Sequence, residues 1–177
     1  MSVFLVECGQ PIDESSDHTL DCKTWVNDSS IDFLMGSPEQ KQMSSSLSNI
    51  TGVMEENKAY RLYLREGVVV GPTSMPMADI QARGHKGTFS GFLFFKPEES
   101  GSYHVMVSQS VWIDFIDESS RQATSSTAYT EEKCYNDVIN KVVQFPLEKG
   151  KRYIFYLVNA EVSSMKVAIR KSGWVRD

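Results

Sequence analysis

Short runs of alternating apolar and polar residues, separated by turn signals, restrict the fold of this chain more than any other feature. Side chains two residues apart lie on the same face of a β-strand, so each run predicts a strand with one buried face. The intervals between runs contain turn signals such as Lys96–Gly101 and Glu148–Gly150, at a spacing typical of a sandwich or barrel. The predicted strands cover residues 60–64, 88–96, 103–107, 111–116, 142–147, 153–158 and 165–169.

No helical pattern of the length that connects parallel strands separates these strands, which disfavours a parallel sheet. We therefore predict an all-β fold, an antiparallel β-sandwich of jelly-roll type with one or two short helices. The sandwich domain is expected over residues 51–177, after an irregular N-terminal segment at residues 1–50 that packs on it or precedes it.

Several minor elements are predicted from local signals. Ser37 as N-cap, followed by Pro38, predicts the start of a short helix. Residues 68–70 are read as another strand, and residues 73–86, with their prolines and Gly84, as a long loop. Between the later strands, residues 130–140 could form a helix.

Composition excludes some classes of function. The 177 residues are 41% apolar, which suits one globular domain that needs no metal or disulfide to bury a core. The net charge of −5 argues against a nucleic-acid partner, because such proteins usually gather Lys and Arg against phosphates. The sequence contains no apolar run approaching the roughly 18–20 residues of a membrane helix, so we predict no transmembrane segment.

The cysteines leave the compartment open. Cys8, Cys22 and Cys134 make an odd count without the close pairing of zinc ligands. A Cys8–Cys22 disulfide would staple the N-terminal segment, although either residue could pair with Cys134 instead, and three reduced thiols in a cytosolic protein are the alternative. Two glycosylation sequons begin at Asn27 and Asn49, and such triplets also arise by chance.

Three features follow one another within residues 91–170, namely a strand that ends in the turn at residues 94–103, a strand with an internal aspartate at residues 112–117, and a strand–turn–strand at residues 145–153. In these features the segment resembles the small β-sandwich modules of secreted bacterial enzymes, in particular the bacterial pre-peptidase C-terminal type and carbohydrate-binding modules. The resemblance implies an exported, periplasmic or extracellular, non-catalytic accessory domain. It identifies no ligand.

Known catalytic signatures are missing from the sequence. Acyl transfer requires a nucleophile within reach of a base, and the chain has no Gly-x-Ser-x-Gly elbow and no phosphate-binding glycine loop. Cys134 could be paired with His85 or His104 on paper, but such a pair can be assembled in most chains. We therefore predict that the protein is not an enzyme.

Trp112 and Asp114 are the predicted ligand-binding residues. They share one side of a strand, opposite Ile113 and Phe115, and an aromatic ring beside a carboxylate suits stacking on a sugar and hydrogen bonding to its hydroxyls. Ile116 has the same parity as Trp112, so the alternative is a strand that is buried on both faces.

Two metal sites are alternatives. His104 and Met106 share a strand face and, with Met75 and Met77 from the preceding loop, would offer the imidazole and thioether donors that suit copper(I). His85 lies in the same loop.

Calcium could instead be held by Asp114, Asp117 and Glu118 at a strand end, or those carboxylates could lie on a solvated face. The leading prediction remains an exported β-sandwich that binds a glycan or a protein surface. The alternative is a periplasmic copper-handling protein.

Overall fold

A computed structural model describes residues 36–68, 70–130 and 138–172. The described chain is a sandwich of two β-sheets with one short helix, which confirms the predicted all-β class. Each sheet has two faces, an inner face directed at the other sheet and an outer face directed away from it.

The first sheet, sheet A, contains six of the described strands. Across the sheet they follow the order β1, β3, β12, β6, β10, β9. Their bounds are Glu39–Gln42 for β1, Ala59–Tyr63 for β3, Gly101–Val107 for β6, Ala128–Thr130 for β9, Lys141–Leu147 for β10 and Ser164–Lys171 for β12.

The second sheet, sheet B, follows the order β2, β5, β11, β7, β8, and β4 also pairs with β5. The bounds are Val53–Met54 for β2, Arg65–Glu66 for β4, Phe89–Phe95 for β5, Trp112–Asp117 for β7, Ala123–Thr124 for β8 and Tyr153–Ala160 for β11. Eight of the strands form two facing sets, β3-β12-β6-β10 and β5-β11-β7-β8, which is a jelly-roll-like arrangement.

Two edge pairings depart from the predicted antiparallel order. β1 runs parallel to β3 and β2 runs parallel to β5, while the central strands of both sheets pair antiparallel. A parallel pair needs a long crossover, and the chain between each of these edge strands and its partner supplies one. The sheets are therefore mixed.

The main core lies between the sheets, on their inner faces. Phe115 is at its centre and packs against Phe95, Phe145 and Phe155 with ring centroids 5.0–5.7 Å apart. These rings come from β7, β5, β10 and β11, so both sheets contribute to the cluster. The alternation in the sequence places every second residue of these strands in this core.

A second apolar layer covers the outer face of sheet B. Its buried members are Phe92, Ile116, Ile154, Tyr156 and Val158, and side chains from the loops pack against them. The phenol of Tyr156 stacks on Phe92 with ring centroids 4.4 Å apart. Strand β7 is therefore buried on both faces, as the parity of Ile116 allowed.

Three minor predictions are wrong. Residues after Ser37 form strand β1, since their backbone pairs with β3 and a tertiary pairing outweighs a capping pattern. Val68 and Val70 lie outside any strand. The predicted loop at residues 73–86 contains helix α1, Met77–Ala82, which begins after Pro76.

Other predictions fall partly or wholly on residues that the structure does not describe. Cys8, Cys22, Cys134, Asn27 and most of the N-terminal segment lie outside the described ranges, as do residues 131–137 of the predicted helix at 130–140. Among the described residues, no helix has the length and apolarity that crossing a membrane requires.

Candidate functional site

A cleft of about 210 Å³ opens at the edge of the sandwich, where β7 of sheet B lies opposite β9 and β10 of sheet A. We call it the Trp112 cleft. The described residues that line it combine aromatic, apolar and cationic side chains, and they are Met75, Arg83, His85, Trp112, Ile113, Ser126, Tyr129, Lys141 and Val143.

Trp112 forms one wall of this cleft. It is the first residue of β7, and its partly exposed indole packs on the outer apolar layer of sheet B. The ring of His85 meets it edge-on at a centroid distance of 5.9 Å, and the ammonium of Lys141 lies 5.5 Å from the centre of the indole. The indole is therefore held from two sides by groups that also line the cleft.

Asp114 lies behind Trp112 and is fully buried. Its Oδ2 accepts hydrogen bonds from the indole Nε1–H of Trp112 at 2.8 Å and from the backbone N–H of Ser74 at 3.2 Å, while its Oδ1 accepts the hydroxyl of Ser74 at 2.5 Å. Burial raises the pKa of Asp114 to about 6, although these hydrogen bonds favour the carboxylate and oppose the rise. Asp114 thus ties the indole to the covering loop.

The covering loop, residues 71–87 with helix α1, is anchored to sheet B at several points. The backbone N–H of Gly71 donates to the phenol oxygen of Tyr156 at 3.4 Å. Met77 of α1 packs against the outer apolar layer of sheet B, and Ile80 of the same helix is fully buried. Together with the Ser74–Asp114 contact, these anchors hold Met75, Arg83 and the other loop residues at the cleft.

A bulge at the end of β11 provides the last anchor. Asn159 has a left-handed backbone, with φ of 55°, at the point where the pairing between β11 and β5 shifts register. Its side-chain amide donates to the backbone oxygen of His85 at 3.2 Å and contacts Met77 Sδ at 3.1 Å. A Cβ at Gly87 would lie 1.9 Å from the carbonyl oxygen of Ala160, so only glycine permits this close approach.

The imidazole of His85 lies among the described residues that line the cleft, two of which, Arg83 and Lys141, are cationic. Burial, followed by the charges of Lys141 and Arg83, lowers the pKa of His85 to about 4. At neutral pH the imidazole is therefore uncharged, and it can donate through one nitrogen and accept through the other.

Only one of the two predicted ligand-binding residues lines the cleft. Trp112 lines the cleft, whereas Asp114 is behind the indole and has no exposed surface. The expectation of a solvated face at Asp114 is wrong, because the covering loop packs against that side of β7 through Ser74. Asp114 positions Trp112 and is not itself available for direct contact with a ligand in this conformation.

The four predicted copper ligands do not converge. His104 and Met106 lie on the outer face of sheet A, where His104 Nε2 is 3.1 Å from Gln144 Oε1 and Met106 is fully buried. Met75 lines the Trp112 cleft, and Met77 begins α1 on the outer face of sheet B. The sandwich core therefore separates the two halves of the predicted set.

The predicted calcium ligands are also engaged separately. Asp114 binds Ser74 and Trp112, Asp117 accepts the N–H groups of the following turn, and Glu118 pairs with Arg152. Across residues 36–68, 70–130 and 138–172, no group of three or more His, Cys, Asp or Glu side chains is arranged to hold a metal ion.

Sequence reasoning missed most of the residues that line the cleft. Arg83, Ser126, Tyr129 and Lys141 come from three separate segments, and no local motif connects them. One signal was available, since Pro76 before a run of helix-favouring residues indicates the start of α1. Recognising α1 would have shown that the loop is structured, although not what it covers.

Comparison with protein-family models gives no match to this chain, and comparison with curated proteins gives no significant match. The resemblance to secreted bacterial β-sandwich modules therefore stays a prediction.

Proposed function

We propose that the protein is a non-catalytic binding protein that holds one ring of a glycan in the Trp112 cleft. The observation that carries this proposal is the indole itself. Trp112 lines an open cleft, and a fully buried carboxylate orients its N–H through a 2.8 Å hydrogen bond. A rigid aromatic wall of this kind suits the apolar face of a sugar ring.

The dimensions of the cleft support a small ligand unit. Its volume of about 210 Å³ lies below the roughly 300–1,000 Å³ of pockets that enclose drug-sized molecules. One sugar residue of a longer chain is a suitable occupant, since the remaining residues can extend into solvent. Tyr129, which is 36% exposed on edge strand β9, offers a second ring, and His85 and Ser126 offer hydrogen-bonding groups.

The surroundings of the ionisable groups favour binding over acid–base chemistry. A general acid or base must come within hydrogen-bonding distance of the reacting atom. Both carboxylate oxygens of Asp114 are used by Ser74 and Trp112, and the side chain has no exposed surface. The imidazole of His85 has a pKa of about 4, which makes it a poor proton donor at neutral pH.

A location outside the cytoplasm belongs to the same proposal and is supported by the resemblance of residues 91–170 to secreted modules. Cell fractionation of the source organism, with an antibody against the protein, tests it. Recovery in the periplasm or the medium would support export, whereas recovery with the cytoplasmic markers would contradict it.

A glycan array tests the binding proposal. We expect wild-type protein to give signals that Trp112→Ala removes, because the stacking wall is lost. Since that variant also loses the hydrogen bond to Asp114, Tyr129→Ala is the second variant, and its part-exposed ring can be removed with little effect on folding.

The matched control is Tyr63→Ala, which removes a half-buried aromatic ring from sheet A, away from the cleft. Its signals should equal those of the wild type. Absence of any signal for folded wild-type protein would contradict glycan binding, and signals that survive both cleft substitutions would place the binding surface elsewhere.

A further inference from the structure

We infer, building on the proposed function, that the sugar ring bound in the Trp112 cleft carries an acetamido group. Its amide hydrogen-bonds the imidazole of His85, and its methyl packs on Ile113 and Val143, which we call the floor of the cleft. Two features of the described lining residues carry this inference, a buried imidazole and an apolar floor. An acetamido substituent has a polar amide next to a methyl group, so it matches both features.

His85 offers hydrogen bonds that the described protein does not use. The residue is only 8% exposed, and it lines the cleft. The Asn159 amide binds its backbone oxygen and its ring meets Trp112 edge-on, but neither ring nitrogen hydrogen-bonds another described residue. A buried polar group usually has a partner, because leaving it unpaired costs free energy. A ligand in the cleft can supply that partner.

The protonation state of the imidazole suits an amide. Burial, followed by the charges of Lys141 and Arg83, lowers the pKa of His85 to about 4, so the ring is neutral at neutral pH. A neutral imidazole donates from one nitrogen and accepts at the other, and an amide likewise has an N–H donor and a C=O acceptor. Either tautomer of His85 can therefore pair with an acetamido group.

The floor of the cleft is apolar. Ile113 and Val143 belong to the core between the sheets, on β7 and β10, and each is 4% exposed where the edge of the sandwich opens into the cleft. Val143 is the register partner of Tyr129 on β9, which lines the same cleft. A hydroxyl placed on this floor would lose its hydrogen bonds to water, whereas a methyl gains apolar contact. The floor therefore favours a substituent that ends in a methyl group.

The test is a glycan array with three matched forms of each terminal sugar, which differ at one ring position only. The first form has an acetamido group, the second a formamido group that keeps the amide but lacks the methyl, and the third a hydroxyl. We expect wild-type protein to bind the acetamido form about tenfold more tightly than the formamido form, because the methyl occupies an apolar pocket. The hydroxyl form should bind about tenfold more weakly again, since it also lacks the amide.

His85→Phe tests the amide contact, since it keeps a ring against Trp112 and removes both nitrogens. We expect the advantage of the formamido form over the hydroxyl form to disappear, while the ratio of acetamido to formamido binding stays that of the wild type. His85→Gln is the matched control, because its side-chain amide still donates and accepts, and it should retain part of that advantage. Each ratio compares two ligands on one protein, so a partly unfolded sample does not change it.

Val143→Ala tests the methyl contact, because it removes part of the floor. We expect the ratio of acetamido to formamido binding to fall by about fourfold, which corresponds to the apolar contact of one methyl group. Val167→Ala is the matched control, since Val167 is a buried valine of the same core on β12 and is not among the described residues that line the cleft. It should leave both ratios unchanged.

The outcomes separate the inference from the proposed function. Equal binding of the three forms, lost in Trp112→Ala, would overturn the acetamido group and leave glycan binding intact. An acetamido preference that neither His85→Phe nor Val143→Ala reduces would overturn the assigned contacts. An array without signals for folded wild-type protein would contradict both the inference and the proposed function.

Discussion

Asp114 and Asp117 stand three positions apart on strand β7, and their surroundings shift their pKa values in opposite directions. Burial beneath the covering loop raises the pKa of Asp114 to about 6. Hydrogen bonds from Ser119 and Ser120, together with Lys151, hold the pKa of Asp117 well below its usual range. The same side chain on the same strand thus costs folding energy at one end and contributes it at the other.

The difference follows from what each carboxylate faces. Asp114 is on the outer side of β7 and is covered by the loop that forms the cleft wall, so its charge is removed from water. Asp117 is the last residue of β7, where the backbone N–H groups of the next turn point at its Oδ1. A buried acid with a raised pKa therefore supports the candidate site, while an acid with a lowered pKa supports an ordinary turn.

We expect the largest loss of stability from a substitution at Phe115, which lies between the two aspartates on β7. Phe115→Ala removes the ring between the two aspartates on the inner face of β7, where it packs against four other aromatic rings. We expect a loss of about 3–5 kcal/mol in the free energy of unfolding, measured by urea denaturation.

Phe94→Ala, which removes a half-buried ring from β5, serves as the control and should cost clearly less. Hydrogen exchange should show that Phe115→Ala loosens both ends of β7 together. Exchange that changes only at the Asp117 end would contradict a common core beneath the two sites.

The second largest change in stability is expected for Asp114→Asn, and it depends on pH. Asp114→Asn can keep all three contacts, since its Oδ1 can accept from Trp112 and the Ser74 N–H while its amide donates to the Ser74 hydroxyl. Because the folded-state pKa of about 6 exceeds the ordinary 3.8, the folded protein binds a proton more tightly than the unfolded chain. The wild type therefore loses stability as pH rises from about 4 to 6.

Relative to the wild type, Asp114→Asn should be more stable at pH 7 by up to about 3 kcal/mol, and this gain should vanish by pH 4. Denaturation midpoints of both proteins between pH 4 and 7 measure it. A difference that stays constant with pH would show that the carboxylate is not desolvated as the structure indicates.

The smallest change in stability is expected for Asp117→Asn, which should destabilise the protein at neutral pH where Asp114→Asn stabilises it. Asp117→Asn keeps an acceptor for the N–H groups of Ser119 and Ser120 but loses the charge that faces Lys151 at 3.4 Å. The depressed pKa means that the carboxylate stabilises the fold above the ordinary value of 3.8, and that this contribution is lost as pH falls below it.

We expect Asp117→Asn to be less stable than the wild type at pH 7 by about 1 kcal/mol, a small value because the Lys151 side chain is exposed and solvent screens its charge. The deficit should shrink below pH 4 in the same denaturation series. If both Asp→Asn variants changed the free energy of unfolding in the same direction at pH 7, the contrast between the two ends of β7 would be refuted.

The sequence predicted the strands of the core well because their signal is local. Alternation at residues 103–107 and 142–147 gave β6 and β10 nearly to their bounds, and the resulting inner faces form the core. The prediction of a helix after Ser37 was wrong for the same reason, because it rested on a capping pattern in local residues alone. An exposed segment with little apolar content took its conformation from β3, to which it pairs.

The candidate site was only partly predictable. The parity of β7 placed Trp112 and Asp114 on the same outer face, and the structure agrees. Parity does not say whether an outer face meets water or another segment. The loop that covers Asp114 is separated from it by 40 residues, and its attachment through Ser74 has no signature in either segment.

By itself, the sequence determined the all-β class and the inner face of each central strand, because both follow from a period of two that the backbone imposes on neighbouring residues. Only the tertiary structure decided where a ligand can bind. The Trp112 cleft is assembled from a loop, from the beginning of β7 and from β9 and β10. Their approach depends on long-range packing and on a buried carboxylate, and neither is encoded in the spacing of residues along one strand.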